Sequence, residues 1–197
     1  MTTTTSTPAV TEIEGLDLPA AGVFTIDPTH THVGFVVRHM MVSKVKGRFG
    51  SFAGEITVGE TPDKSSVEVT IDAASVDTRE ERRDNHLRSA DFFDVENFPE
   101  LHFVSTALVP KGRGAFDLEG TLTIHGVSQP VTLSVEHEGI VIDPYGNERI
   151  GFSASSEIDR EAFGLTYNAA LEAGGVVVGK QVKLELEIEA VRKAEAA

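Results

Sequence analysis

The chain has 197 residues, 40% hydrophobic and 24% charged, a balance that suits one folded domain and not a disordered segment. It contains no cysteine, which excludes disulfides and thiolate-bound metals. Its 31 acidic against 17 basic residues give a formal charge of −14, which repels phosphate backbones and anionic headgroups; nucleic acid is not expected as a partner, nor is stable membrane insertion.

Residues 1–21 are rich in Thr, Pro and Glu and read as a flexible tail. The first basic residue is Arg38, and residues 1–21 contain no apolar core of the kind a leader needs, so no secretory leader is read and a cytoplasmic location is expected. From residue 22 to residue 192 the dominant signal is alternation with period two. Val67, Val69 and Ile71 alternate with Glu68, Thr70 and Asp72. Val131, Leu133 and Val135 alternate with Thr132, Ser134 and Glu136. Val182, Leu184, Leu186 and Ile188 alternate with Lys183, Glu185, Glu187 and Glu189. Each such segment has one dry and one wet face, the mark of a half-buried strand. Strands are predicted near 22–27, 31–41, 47–59, 65–73, 99–109, 113–125, 129–142, 149–159 and 179–192, separated by turn chemistry such as Gly126 to Pro130 and Asp143 to Asn147. One helix is predicted from Thr78 to Arg88, with capping-box spacing at Asp77/Glu80 and Thr78/Glu81 and an i,i+4 pair between Asp84 and Arg88. A second short helix or turn is placed around Arg160 to Asn168, and residues 193–197 read as a second tail.

Short hairpins in sequence order make an antiparallel all-β domain over 22–192. Its apolar faces must stack as a sandwich or close as a barrel, and periodicity alone does not choose. The inward positions are mostly Val, Leu, Ile and Phe, so a cavity among them would suit an apolar guest.

Longer blocks add to this. F-T-I-D-P-T-H at 24–30, V-G-F-V-V-R-H-M at 33–40 and V-K-G-R-F-G-S-F-A-G at 45–54 are followed by R-R-D-N-H-L-R-S-A-D-F-F-D at 82–94. Then come F-P-E-L-H-F at 98–103, G-T-L-T-I-H-G-V at 120–127 and I-D-R-E-A-F-G-L at 158–165. In this order the chain resembles the YceI-like family of polyisoprenoid-binding proteins. The resemblance implies an all-β, antiparallel, lipocalin-like eight-stranded barrel with one or two short helices. It also implies a long apolar channel for an isoprenoid chain, no catalytic role and no cofactor. The chain departs from the family pattern at Phe24, where Trp is frequent, and at His32, where Arg is frequent; many relatives also carry a secretory leader.

On that reading the channel is lined by Val33, Phe35 and Val37 from one strand, with His39 as a polar contact at its end. Val67 and Val69, Phe103, Leu122 and Ile124, Phe152, and Leu184 and Leu186 join them. Phe49 and Phe52 are also candidates, although their parity differs unless a bulge intervenes. The ligand expected is a prenyl quinone, a polyprenyl diphosphate or a similar isoprenoid lipid, carried or stored. Scavenging of other hydrophobic molecules is the near alternative, and an enzyme using His39, or a metal held by His30 and His32, is the rival class. No metal site is assigned, because no nearby cysteine completes a ligand set and His32 departs from the family pattern. Arg79, Arg82, Arg83 and Arg88 read as a solvated helix face before a headgroup clamp, and Phe92, Phe93 and Phe98 as a plug before a gate. Gly174, Gly179 and Lys180 have phosphate-loop spacing, but Gln181 and the strand that follows exclude nucleotide binding. A homodimer is compatible with the sequence.

Overall fold

Three of the alternating segments near the N-terminus are each broken once, and these breaks set the architecture. The computed structural model describes residues 10–13, 16–170 and 175–194. Gly22–Ile26 (β3) and His32–His39 (β4) are two pieces of one strand position, as are Ser43–Phe49 (β5) and Phe52–Val58 (β6). Ser66–Asp72 (β7) and Val76–Asp77 (β8) form the third broken position. Four unbroken strands follow, Glu100–Gly112 (β9), Ala115–Ile124 (β10), Val127–Ile142 (β11) and Glu148–Asp159 (β12), and Val178–Arg192 (β13) comes last. The ring runs β3-β6-β7-β9-β10-β11-β12-β13, all antiparallel, and β13 closes it by pairing with β12 on one edge and with β3 and β4 on the other. This is the eight-stranded barrel implied by the resemblance.

The breaks have local causes. Between β3 and β4 lies Pro28, which has no N–H to donate, and the Thr31 hydroxyl stands in for backbone on β13. It donates to the Glu189 carbonyl at 3.1 Å and accepts from the Glu189 N–H at 3.0 Å. The strand predicted over 47–59 splits at Gly50 and Ser51, because both turn their backbone to another segment. Gly50 N–H donates to the Ser75 carbonyl, and Asp72 N–H donates to the Ser51 carbonyl.

The stretch read as an N-terminal tail contains a separate hairpin, Val10–Ile13 (β1) with Leu16–Pro19 (β2). Pro19 is buried and Leu18 half-buried, so tertiary contact orders a segment whose composition reads as mobile.

The helix is shorter than predicted, Glu81–Arg88 (α1), and neither capping box forms. Glu80 itself caps it, accepting from the N–H groups of Arg82 and Arg83. Thr78 instead gives its N–H and hydroxyl to buried Asp84. Arg88 reaches the carbonyls of Ala74 and Val76, both at 2.7 Å, so the Asp84–Arg88 pair is replaced by two tertiary ties. The second helical turn is the 3-10 segment Arg160–Phe163.

At one end of the barrel Arg149 on β12 joins three carboxylates from different segments. It donates to Asp27 at 2.7 Å, to Asp143 at 2.8 Å and to Glu189 at 2.5 Å. The guanidinium, with His30 beside it, holds the Asp27 carboxyl well below the usual carboxylate range. Asn147 and Arg149 do the same for Asp143. Both groups therefore contribute stability that is fully present above their unfolded pKa, about 3.9, and is lost as pH falls toward their depressed folded values. Arg149→Gln is expected to lower the thermal midpoint by several degrees at pH 7, since three carboxylates then face one another. In scanning calorimetry the gap to the parent protein should narrow below about pH 4, as those carboxylates protonate in the variant.

Candidate functional site: an apolar cavity along the barrel axis

The inward side chains do not all meet. Phe35, Phe52, Val67, Val69, Leu184 and Leu186 point into the barrel yet are only half-buried, because they face a cavity and not one another. Its volume is about 490 Å³, inside the roughly 300–1,000 Å³ range of small-molecule sites. It runs lengthwise. One end is rimmed by Leu18, Pro19 and the β6–β7 turn from Gly59 to Pro62; the other is bounded by Leu87, Phe92, Phe93 and Leu165.

Alternation places the lining. Val33, Phe35 and Val37 enter from β4, Val67 and Val69 from β7, and Leu184 and Leu186 from β13. Phe103, Leu122, Ile124 and Phe152 complete the positions expected from β9, β10 and β12. Phe49 and Phe52 both line the cavity, since the break at Gly50 and Ser51 restarts the strand and restores inward parity. His39 is the exception. It has the right parity but ends β4 opposite Val178, across a register shift in β13, and it does not border the cavity.

Further lining residues come from signals already visible in the pattern, among them Val131, Leu133 and Val135 on β11 and Val182 and Ile188 on β13. Leu108 was not readable. A bulge leaves Thr106 without a partner between Ser105 and Ala107, and inward parity on β9 passes from Leu101 and Phe103 to Leu108. Glycine makes room for the aromatic lining: a Cβ on Gly47 would lie 2.3 Å from the Phe35 ring, and one on Gly120 2.5 Å from the Phe103 ring. Phe35 and Phe93 then pack on Phe49, with ring centroids 5.8 and 5.6 Å apart.

The charged residues on the lining are Glu60 at the rim and Arg160 at the bounded end. Arg160 is 4% exposed and braces the turn into β13, donating to the carbonyls of Gly179 at 3.0 Å, Val178 at 3.4 Å and Leu165. Burial pulls its pKa down, and the three carbonyl dipoles offset that cost locally. His137, beside Phe152 at a centroid distance of 5.3 Å, is likewise pushed toward the neutral form by burial.

The arginines of α1 lie elsewhere. Arg83 holds Thr78, Arg88 holds Ala74 and Val76, and Arg79 and Arg82 are exposed; none borders the cavity. Of the three Phe beside the helix, Phe92 and Phe93 reach the cavity, whereas Phe98 packs on His125. His32 is exposed, and His30 turns to Asp27 at 2.9 Å. Asp27, His30 and Glu189 place ligand-type atoms within 4.8 Å of one another, but Arg149 already neutralises both carboxylates, so the cluster works as an ion-pair network. Gly174 lies outside the described residues; Gly179 and Lys180 stand at the start of strand β13, with no helix N-terminus for a phosphate.

The family model for the YceI-like domain matches residues 24–190. The chain belongs to the YceI-like family. It is 38% identical over 169 residues to a UPF0312 protein of Staphylococcus aureus, covering 84% of this chain and 95% of that one. The barrel is also similar to the crystal structure of BcnA from Burkholderia cenocepacia, at 24% identity and a TM-score of 0.73, covering 83% of this chain and 98% of BcnA. A polyisoprenoid binding domain from Saccharophagus degradans, implicated in plant cell wall breakdown, shares the fold at 16% identity and a TM-score of 0.67, covering 88% of this chain and all of that one (100%). Among the described residues of this YceI-like protein, no helix is long and apolar enough to cross a membrane.

Gly47→Ala tests how the lining is built. The added methyl drives the Phe35 ring into the cavity, so uptake of a solvatochromic apolar dye should weaken about tenfold, for a strain on the order of 1–2 kcal/mol. The far-ultraviolet circular dichroism spectrum should not change.

Proposed function

We propose that this YceI-like protein binds a long apolar ligand inside its barrel without catalysis and carries or stores it. The ligand class best matched is an isoprenoid lipid, such as a prenyl quinone or a polyprenyl diphosphate, and the site of action is the cytoplasm. The observation that carries the reading is the lengthwise cavity of about 490 Å³, whose wall is Val, Leu, Ile and Phe on every strand position. The polyisoprenoid binding domain of Saccharophagus degradans, with the same fold, supports the choice of ligand class.

Energetics favour a guest of this kind. Burying on the order of 500–800 Å² of apolar surface at roughly 25 cal/mol/Å² yields about 12–20 kcal/mol before costs. Association and chain ordering consume roughly half or more of that, which still leaves tight binding with few polar contacts. The binding reading is also supported by the lining itself: His39, the side chain best suited to an enzyme reading, lies off the cavity. The lining Arg160 is committed to backbone carbonyls. Specificity would then rest on length and dryness.

The direct test is native mass spectrometry with organic extraction on protein purified from its own host. A co-purifying isoprenoid of defined length is the expected result; a bare mass with no uptake of added prenyl lipids would overturn the reading. Leu186→Asp, which sets a carboxylate in the wall, should abolish ligand retention, whereas the volume-conserving Leu186→Met should keep it.

A further inference from the structure

The longest acid-free stretch in this chain of net charge −14 lies in its N-terminal third. Between Asp27 and Glu55 there is neither Asp nor Glu, although 31 of the 197 residues are acidic. This stretch holds Arg38, Lys44, Lys46 and Arg48, and the β4–β5 hairpin puts all four on its outer face, alternating with the inward Val37, Val45 and Phe49. All four are exposed. Arg48 pairs with Asp77, whereas Arg38, Lys44 and Lys46 make no ion pair among the described residues. Arg38 and Lys44 stand directly opposite each other across the strands, an arrangement of like charges that costs stability.

The hairpin tip between those cations is apolar. Met40, Met41 and Val42 are 43%, 59% and 83% exposed. Met40 and Met41 have φ of 49° and 61°, the left-handed region that side chains other than glycine seldom adopt. Strained backbone, opposed like charges and exposed large apolar side chains each lower stability, and here they coincide in one turn. The tip stands next to a segment of the cavity wall: Met40 N–H donates to the Val177 carbonyl at 2.8 Å, and Val178 is a lining residue.

We propose that this hairpin is a docking element for an anionic lipid bilayer, with Met41 and Val42 entering the interface and Arg38, Lys44 and Lys46 meeting the headgroups. Charge complementarity selects this occupant. A second copy of the chain docking tip to tip would bring its own three cations against these. Glu185 on β13 lies close enough to feel Lys44 and Lys46, but it is itself paired with Lys183 at 2.9 Å, and acids beyond a Debye length of about 8–10 Å are largely screened. Contact is peripheral and reversible, and it is independent of what the cavity holds.

Vesicle co-sedimentation of the full chain tests this, with vesicles of phosphatidylcholine alone and of phosphatidylcholine mixed with phosphatidylglycerol. The protein should partition to the mixed vesicles and be released by high salt. Joint Lys44→Gln and Lys46→Gln substitution, which removes two positive charges, should weaken that partition on the order of thirtyfold, from about 1 kcal/mol for each basic residue at an anionic surface. Joint Met41→Asp and Val42→Asp substitution should abolish it, with the thermal midpoint not lowered in either variant. Equal partition to the two vesicle types, or indifference to both pairs of substitutions, would overturn the proposal. So would a concentration-dependent dimer, abolished by Met41→Asp with Val42→Asp, in a protein that ignores vesicles. None of these outcomes depends on an isoprenoid being found in the cavity.

Discussion

Everything in this molecule depends on β13 hydrogen-bonding along both of its edges. Its 15 residues pair with β12 on one side and with β3 and β4 on the other, which converts an open meander into a ring. Closure gives all the dry faces a single common interior. The two breaks flanked by Asp27–Thr31 and Gly50–Ser51 are tolerated because side-chain and turn backbone groups take over the missing ladder bonds.

A ring of eight strands can fill itself or enclose a guest, and side-chain size decides which. Here Phe24, Ile150 and Ala190 pack one part solid, with Phe24 and Ala190 fully buried, while their neighbours Ile26 and Ile56 face the cavity. Arg192, 4.4 Å above the Phe24 ring and bonded to Glu148, seals that part from outside. Along the axis, by contrast, glycine at 47 and 120 lets aromatic rings lie flat against the wall, and space is left over. The ion-pair network around Arg149 ties β3, β12 and β13 together at one end, so the frame stays closed around a partly empty interior.

The charge of the chain teaches a related lesson. A formal charge of −14 averages over a surface that is not uniform. Folding gathers Arg38, Lys44, Lys46 and Arg48 on one hairpin face, and a sum over residues cannot register that.

The amino-acid order alone determined the all-β class, the short hairpins and most of the wall, because inward and outward side chains alternate with period two in any strand. Val33, Phe35, Leu122 and Leu184 were legible for that reason, and the long family blocks supplied closure, which periodicity cannot. Only the tertiary structure decided the exceptions. Whether Phe49 and Phe52 share a face depended on a turn from Ser75 crossing at Gly50, and Leu108 on a bulge at Thr106. His39 has the right parity but stands at a strand end, past the cavity. Glu80 became the helix cap because Thr78 was claimed by Asp84, and the hairpin of β1 and β2 lies in a segment whose composition reads as a tail. Each of these turns on partners distant in sequence, and local periodicity carries no information about them.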